Sequence, residues 1–239
     1  MGLNTTMKII LIIPAYNEEK TLRKTISEIL KTKIDYIIIN DGSTDSTPDI
    51  LDQNNYNHID LLSNLGIGGA VQTGYKYAYE NNYDIAIQFD ADGQHDIKYI
   101  EDLIRPIQDG EANLVIGSCF IDKSNKNLRS SKIRRMGIRF LSGFIKLLSG
   151  KKIYDPTSGF RAADKTIISR FANDYPLEYP EPVSNFELLK NKQLKIKEAP
   201  VIMKRRTDGK SSIHSWKSAY AAFNVMLSIL ILSLRRKND

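Results

Sequence analysis

The chain has 239 residues, 41% hydrophobic and 26% charged, which suits one sizeable α/β core, alone or with a helical extension. A formal net charge of +6 asks for an anionic partner such as a phosphate-rich ligand or a membrane surface. Cys119 is the single cysteine, so an intramolecular disulfide is excluded, and the absence of zinc-finger spacing and of an RNA-binding aromatic strand argues against a nucleic-acid reader.

Ile9-Ile10-Leu11-Ile12-Ile13 is a continuous apolar run, the pattern of a strand buried on both faces of a parallel sheet. It is too short for a secretory signal and ends in Pro14-Ala15-Tyr16-Asn17-Glu18-Glu19. Leu22, Ile26, Ile29 and Leu30 then keep helical spacing. Tyr36-Ile37-Ile38-Ile39 reads as a second strand, closed by Asn40-Asp41-Gly42-Ser43-Thr44-Asp45-Ser46-Thr47-Pro48, a turn that runs into helix-capping residues. Strand, loop and helix in repetition make the βαβ pattern, with right-handed crossovers and ligands at the carboxyl ends of the strands.

Leu62-Ser63-Asn64-Leu65-Gly66-Ile67-Gly68-Gly69-Ala70 leads into a helix through about Tyr79. The third glycine of a dinucleotide fingerprint would fall at Val71, so this loop reads instead as one that lets a helix start close against a ligand. A third strand, Ile85-Ala86-Ile87-Gln88-Phe89, ends in Asp90-Ala91-Asp92-Gly93-Gln94-His95-Asp96. Carboxylates one residue apart at a strand end either are solvated turn acids or reach one hard divalent cation, Mg²⁺ or Mn²⁺, which also takes substrate phosphates. Three strand ends therefore carry Tyr16 with Glu18, Asp41, and Asp90 with Asp92. Residues 99–108 read as a further helix and 112–118 as a further strand.

Four of these segments, Ile13-Pro14-Ala15-Tyr16-Asn17-Glu18-Glu19, Asn40-Asp41-Gly42-Ser43-Thr44-Asp45, Asn64-Leu65-Gly66-Ile67-Gly68-Gly69-Ala70 and Asp90-Ala91-Asp92-Gly93-Gln94, resemble the successive motifs of family 2 glycosyltransferases. The likeness is greatest to the dolichyl-phosphate mannose synthase group and its bacterial polyprenyl-phosphate relatives, and it runs from about Ile9 to Ile213. It implies an α/β fold of the GT-A type, the nucleotide-diphospho-sugar transferase fold, with a mixed central sheet and helices on both faces. That domain would span residues 1–213, with an apolar membrane-associating or packing helix over 214–239.

The resemblance also implies roles. Pro14, Ala15, Tyr16, Glu18, Ile39 and Asp41 would hold the nucleoside. Asp90, Ala91 and Asp92 would lie at the ribose, the diphosphate and the metal, with Gln94 completing the shell of Mg²⁺ or Mn²⁺. Where family members carry arginine after an Ile-Gly-Ser stretch, this chain has Cys119, and Arg134 or Arg135 would replace it near the acceptor. Tyr154-Asp155-Pro156-Thr157-Ser158-Gly159-Phe160-Arg161 resembles the segment beneath the acceptor region: Ser158 would contact the acceptor, and Asp155 either caps the turn or acts as general base toward a hydroxyl. The segment from Tyr179-Pro180-Glu181-Pro182 to Glu187-Leu188-Leu189 would precede a helix lining the same region. In Arg206-Thr207-Asp208-Gly209-Lys210-Ser211, which follows a late strand over 195–203, Arg206 would contact the diphosphate or the acceptor phosphate.

Two stretches bear on a membrane. Residues 126–152 are rich in Lys and Arg, have no acid, and interleave apolar residues; they form either a core helix with a solvated charged side or an interfacial helix. Residues 219–234 are almost wholly apolar but short of the roughly 20 a spanning helix needs. They either lie on a membrane or pack as a terminal core helix through the stripe Trp216, Tyr220, Phe223, Leu227, Ile231 and Leu234.

The expected activity is inverting, divalent-metal-dependent transfer of a hexose from a UDP- or GDP-sugar to a polyprenyl (undecaprenyl or dolichyl) phosphate. It would occur at the cytoplasmic membrane face, the protein being peripheral or monotopic, with a membrane surface or small membrane protein as partner. The alternatives are transfer to a saccharide hydroxyl in cell-wall or surface polysaccharide synthesis, and a non-catalytic nucleotide-sugar-binding scaffold. A sugar nucleotidyltransferase would want a glycine-rich triphosphate loop where Pro14-Ala15-Tyr16-Asn17 stands.

Overall fold

The computed structural model describes residues 7–121, 132–204 and 215–235, the backbone alone for 132–133 and 215–220. Its centre is β1 (Ile9–Ala15), in which every residue is buried. Ile10 and Ile12 point into the apolar layer on one side, and Ile9, Leu11 and Ile13 into the layer on the other. A strand that feeds two cores has no polar face to show, hence the unbroken apolar run. Each such side chain is worth about 1.5–3 kcal/mol when fully buried.

Parallel to β1 on one side lie β2 (Asp35–Asn40) and then β3 (His58–Asp60); on the other side lies β4 (Ile85–Gln88). The sheet continues through β6 (Arg161–Asp164), antiparallel to both its neighbours, to β5 (Leu114–Ser118) and β7 (Ile196–Pro200), which are parallel to each other. The order of the seven strands is β3-β2-β1-β4-β6-β5-β7, a mixed sheet.

One face is covered by α1 (Leu22–Ile29), α2 (Thr47–Gln53) and α4 (Ile100–Gln108), which bury Leu22, Ile26, Leu51, Leu103 and Ile104. The other carries α3 (Gly66–Glu80), α5 (Lys132–Ser149), α6 (Lys165–Asn173), α7 (Pro180–Lys190) and α8 (Ser215–Leu234). Helix α3 lies against β1 because Gly74 has no side chain: a Cβ there would stand 2.1 Å from Ile12 Cγ2.

Three elements go beyond the expected ones. β3 is a three-residue edge strand without an apolar run. β6 opens on a fully buried arginine, so its sequence lacks strand character; it exists because β4 and β5 pair with it from both sides. Helix α6 is capped by Asp164, whose carboxylate accepts the Ile167 N–H at 2.9 Å, and it buries Ile167, Ile168 and Phe171. The terminal helix corrects one expectation. α8 docks through Val225 and Ile229, whereas Phe223, Leu227, Ile231 and Leu234 of the supposed core stripe are exposed. Among the described residues no helix is long and apolar enough to cross a membrane.

Candidate active site at the strand ends

Because β2, β1 and β4 are adjacent and parallel, their carboxyl ends meet at one edge of the sheet. The Asp41 N–H donates to the Ala15 carbonyl at 2.9 Å, and the Phe89 N–H to the Ile12 carbonyl at 2.9 Å. The three acidic loops that follow are thereby brought together. Pro14, Ala15, Ile39 and Ala91 are buried there, so they could meet a ligand only with backbone atoms. The Tyr16 side chain is exposed.

Side chains of the first two loops stitch them to each other. Asn17, at φ +55°, accepts the Thr44 N–H at 2.8 Å, Ser43 Oγ accepts the Asn17 N–H at 3.0 Å, and Thr47 Oγ1 accepts the Glu18 N–H at 2.9 Å. This is why the motifs are rich in Asn, Ser and Thr: short polar side chains replace the ladder where strands end. Asp41 ties in the glycine loop, accepting the Leu65 N–H at 2.7 Å. Burial raises its pKa, and the amides of Leu65 and Gly66 partly offset that. Gly42, at φ +65°, lies under the loop, and a Cβ there would stand 2.7 Å from the Asn64 nitrogen.

The Asp90-Ala91-Asp92 turn is held at three points. Thr25 Oγ1 donates to the Ala91 carbonyl at 3.1 Å, Asp92 Oδ1 accepts the Gln94 N–H at 2.9 Å, and His95 Nδ1 accepts the Asp90 N–H at 3.0 Å. Gly93, at φ +74°, makes the bend. Since Nδ1 accepts, the His95 proton is on Nε2, which lies 3.6 Å from Asp90 Oδ2. The imidazole is buried, stacked on Phe160 with centroids 4.6 Å apart, and burial pushes its pKa down to about 4. His95 is thus a neutral clamp on the turn, a role the sequence does not announce although the residue sits inside the motif.

Asp90 is pushed up to about 7 by burial and then by the charges of Asp92 and Glu181. Its Oδ1 is buried with no hydrogen-bond partner among the described residues. A cation beside such a carboxylate would favour its charged form. Among the described residues no three His, Cys, Asp or Glu side chains form a ready metal cage; Asp90 and Asp92 with the neutral Gln94 fit a Mg²⁺ or Mn²⁺ that takes its remaining ligands from phosphates and water.

Beneath this turn lies the segment 155–161. A Cβ on Gly159 would stand 2.9 Å from Gln88 Nε2 and 3.4 Å from Asp90 Oδ2, so a larger residue would have to displace the Gln88 amide from its network. Arg161 is fully buried and donates to Gln88 Oε1 at 3.2 Å, to Ser184 Oγ at 3.0 Å and to the Tyr175 hydroxyl. Gln88 Nε2 in turn donates to Glu181 Oε1 at 3.3 Å. This network was not foreseen, because a buried cation leaves no periodic trace.

Asp155 is buried beside Cys119. It accepts the Cys119 N–H at 3.4 Å and the Thr157 hydroxyl at 3.2 Å, while its own N–H donates to Glu198 at 2.9 Å. Burial raises its pKa to about 6. Arg134 lies close enough to pull both Asp155 and Cys119 downward; of the two arginines it is Arg134 that stands by the cysteine. The Ser158 hydroxyl is buried with no partner among the described residues. Glu181, in the first turn of α7, belongs to the site, whereas Glu187 interacts with Asp174, Arg170 and Arg235. Arg206 lies outside the described residues; the chain leads toward it from Lys204, whose N–H donates to the Gln94 carbonyl at 2.8 Å.

The family described as glycosyl transferase family 2 matches residues 10–173. A UDP-N-acetylglucosamine–dolichyl-phosphate N-acetylglucosaminyltransferase of Methanococcus voltae is 35% identical, over 81% of this chain and 84% of its own length. An undecaprenyl-phosphate mannosyltransferase of Micrococcus luteus is 28% identical, over 65% of this chain and 66% of its own. Among solved structures, glucosyl-3-phosphoglycerate synthase of Mycobacterium tuberculosis, in complex with Mn²⁺, UDP-glucose and phosphoglyceric acid, has a TM-score of 0.70 over 98% of this chain and 82% of that one. At 18% identity this last likeness is one of fold.

Proposed function

The chain belongs to glycosyl transferase family 2 and has its GT-A type α/β fold, and from that premise we propose that it moves a hexose from a nucleotide sugar to a polyprenyl phosphate. The single observation that carries the donor half is the meeting of Asp41, Asp90 and Asp92 at one sheet edge, with Asp90 Oδ1 unpartnered among the described residues and its carboxyl pushed up to about 7. The acceptor half is supported by the relatives of M. voltae and M. luteus, which are named for lipid-phosphate acceptors.

In this account Tyr16 covers the base, and Glu18, Asp41 and the backbone at Pro14, Ala15 and Ile39 hold the nucleoside. Asp90, Asp92 and Gln94 hold Mg²⁺ or Mn²⁺, which when bound offsets the charge of the leaving diphosphate, a contribution of several kcal/mol; the Mn²⁺ in the M. tuberculosis neighbour agrees with such use. Arg134 and Ser158 orient the acceptor phosphate, with Arg135 a lesser contact, and Arg206 meets the charge that develops. The phosphate attacks the anomeric carbon from the side opposite the leaving group, with inversion. It is already an anion at neutral pH and needs no base. Residues 1–213 make up the catalytic domain, and the segment 214–239 attached to it carries the helix Ser215–Leu234. The acceptor places the reaction at the cytoplasmic face of a membrane.

A second reading, transfer to a saccharide hydroxyl, is favoured by one observation: the Asp155 carboxyl, raised to about 6, suits a general base. Transfer of labelled sugar from UDP- or GDP-hexose to a polyprenyl phosphate and to oligosaccharides, side by side, decides. Label in the lipid phosphate alone is expected; label in the saccharide alone, lost in Asp155→Asn, would replace this function with the second one.

A further inference from the structure

We propose that the solvent-side faces of α5 and α8 together form a docking surface for an anionic lipid bilayer. Helix α5 is apolar on two sides. Towards the core it presents Ile138, Ser142 and Ile145, flanked by the half-buried Leu141, Phe144 and Leu148, with the Ser142 hydroxyl bonded to the Ile153 carbonyl. A second set of large apolar side chains faces solvent: Met136 is 67%, Phe140 63% and Leu147 80% exposed. At 3.6 residues per turn these three share a sector about 40° wide, roughly opposite Ile138 and Ile145. Exposed Arg139 and Lys146 run along one border of that ridge.

Helix α8 packs beside α5 and repeats the arrangement. Val225 and Ile229 are buried, and the opposite side shows Phe223, 59% exposed, Leu234, 76% exposed, and the exposed Leu227, Leu230 and Ile231. Ordinary soluble surfaces scatter such residues singly; here they occupy whole helix faces.

Charge decides what covers them. No Asp or Glu occurs between Asp122 and Asp155, nor between Asp208 and Asp239, although 28 acids are spread through the rest of the chain. An apolar ridge bordered by cations alone fits a surface of anionic headgroups over acyl chains. A second copy docked on the same face would set like charges against each other. Neither helix is long and apolar enough to cross a membrane, so both lie along it. The surface rests on the proposed function for its purpose: α5 also carries Arg134, on the side away from the ridge and beside Asp155 and Cys119, so a bilayer against the ridge lies along the helix that borders the proposed acceptor side.

The test is co-sedimentation of the full chain with protein-free vesicles of phosphatidylcholine, with and without phosphatidylglycerol, in the absence of donor and metal, so that its outcome does not depend on the transferase activity. Binding to the anionic vesicles, weakened by salt, is expected. Phe140→Ser with Leu147→Ser should lower affinity about tenfold or more, and Arg139→Gln with Lys146→Gln about thirtyfold on anionic vesicles alone, both at unchanged melting temperature because these side chains are exposed. The proposal is overturned if the wild-type chain stays in the supernatant, if the variants sediment like wild type, or if Phe140→Ser with Leu147→Ser turns a dimer into a monomer without changing vesicle binding.

Discussion

The half of the sheet built from β1, β2 and β4 and the half built from β5, β6 and β7 meet the same site with different materials. In the first, strands are parallel and largely apolar, and polarity gathers at their carboxyl ends, at Asn40 and Gln88 and then at Tyr16, Asp41 and Asp90. In the second, polar groups run through the interior: Arg161 inside the sheet, Ser184 under it, and Asp155 bonded from Cys119 and Thr157. The first half should keep its fold when Asp92 is lost, since that acid stands half-buried on a turn beyond the strand. The second should not tolerate loss of Arg161, because the groups proposed to shape the acceptor side also satisfy one another in the interior.

Five substitutions sharpen or break that contrast. Asp92→Ala should reduce transfer by about a thousandfold or more, the several kcal/mol of lost charge stabilisation, while the melting temperature stays within a few degrees; a large drop in melting temperature would erase the distinction. Arg161→Ala should cost about 3–5 kcal/mol in denaturant unfolding, because it opens a cavity and leaves Gln88, Ser184 and Tyr175 unsatisfied. A stable Arg161→Ala chain would show that the second half is as tolerant as the first.

Asp155 carries a pH signature. Its folded pKa, about 6, stands above the ordinary aspartate value of 3.8, so between the two the folded chain holds a proton that the unfolded chain has released. Stability from this group is fully present below pH 3.8 and is lost as pH rises through about 6. Near pH 7.5 the loss is roughly 2–3 kcal/mol. Asp155→Asn should recover most of it and flatten stability between pH 4 and 7 in thermal melts; an unchanged slope counts against a buried, strained carboxyl. The smallest effect is expected from Arg134→Gln, which should raise KM for polyprenyl phosphate about tenfold with donor affinity unchanged, and Arg135→Gln should do less.

The same contrast explains what was legible in advance. The Ile9–Ile13 run, the Ile37-Ile38-Ile39 run and the acids that close them are local signals, so the first strands and the polar turns that end them could be read together. Arg161 could not be read as a strand residue, because its burial depends on Gln88, Tyr175 and Ser184, distant in sequence. His95 lay in plain view, yet its part as a clamp depends on Phe160 and on the Asp90 amide. Periodicity marked the apolar stripes of α5 and α8 but not which side meets the core: Val225 and Ile229 face in and Phe223 and Leu234 face out, an outcome set by the neighbours each helix packs against.

At the centre is the claim that the strand-end acids gather around a cation-bridged diphosphate. Calorimetric titration of UDP- and GDP-hexoses into wild type and Asp92→Ala, with and without Mn²⁺, tests it most directly. One nucleotide sugar should bind wild type far more tightly when Mn²⁺ is present, and Asp92→Ala should lose that increment while keeping its metal-free affinity. Equal binding with and without the metal, or an increment that survives in Asp92→Ala, would contradict it.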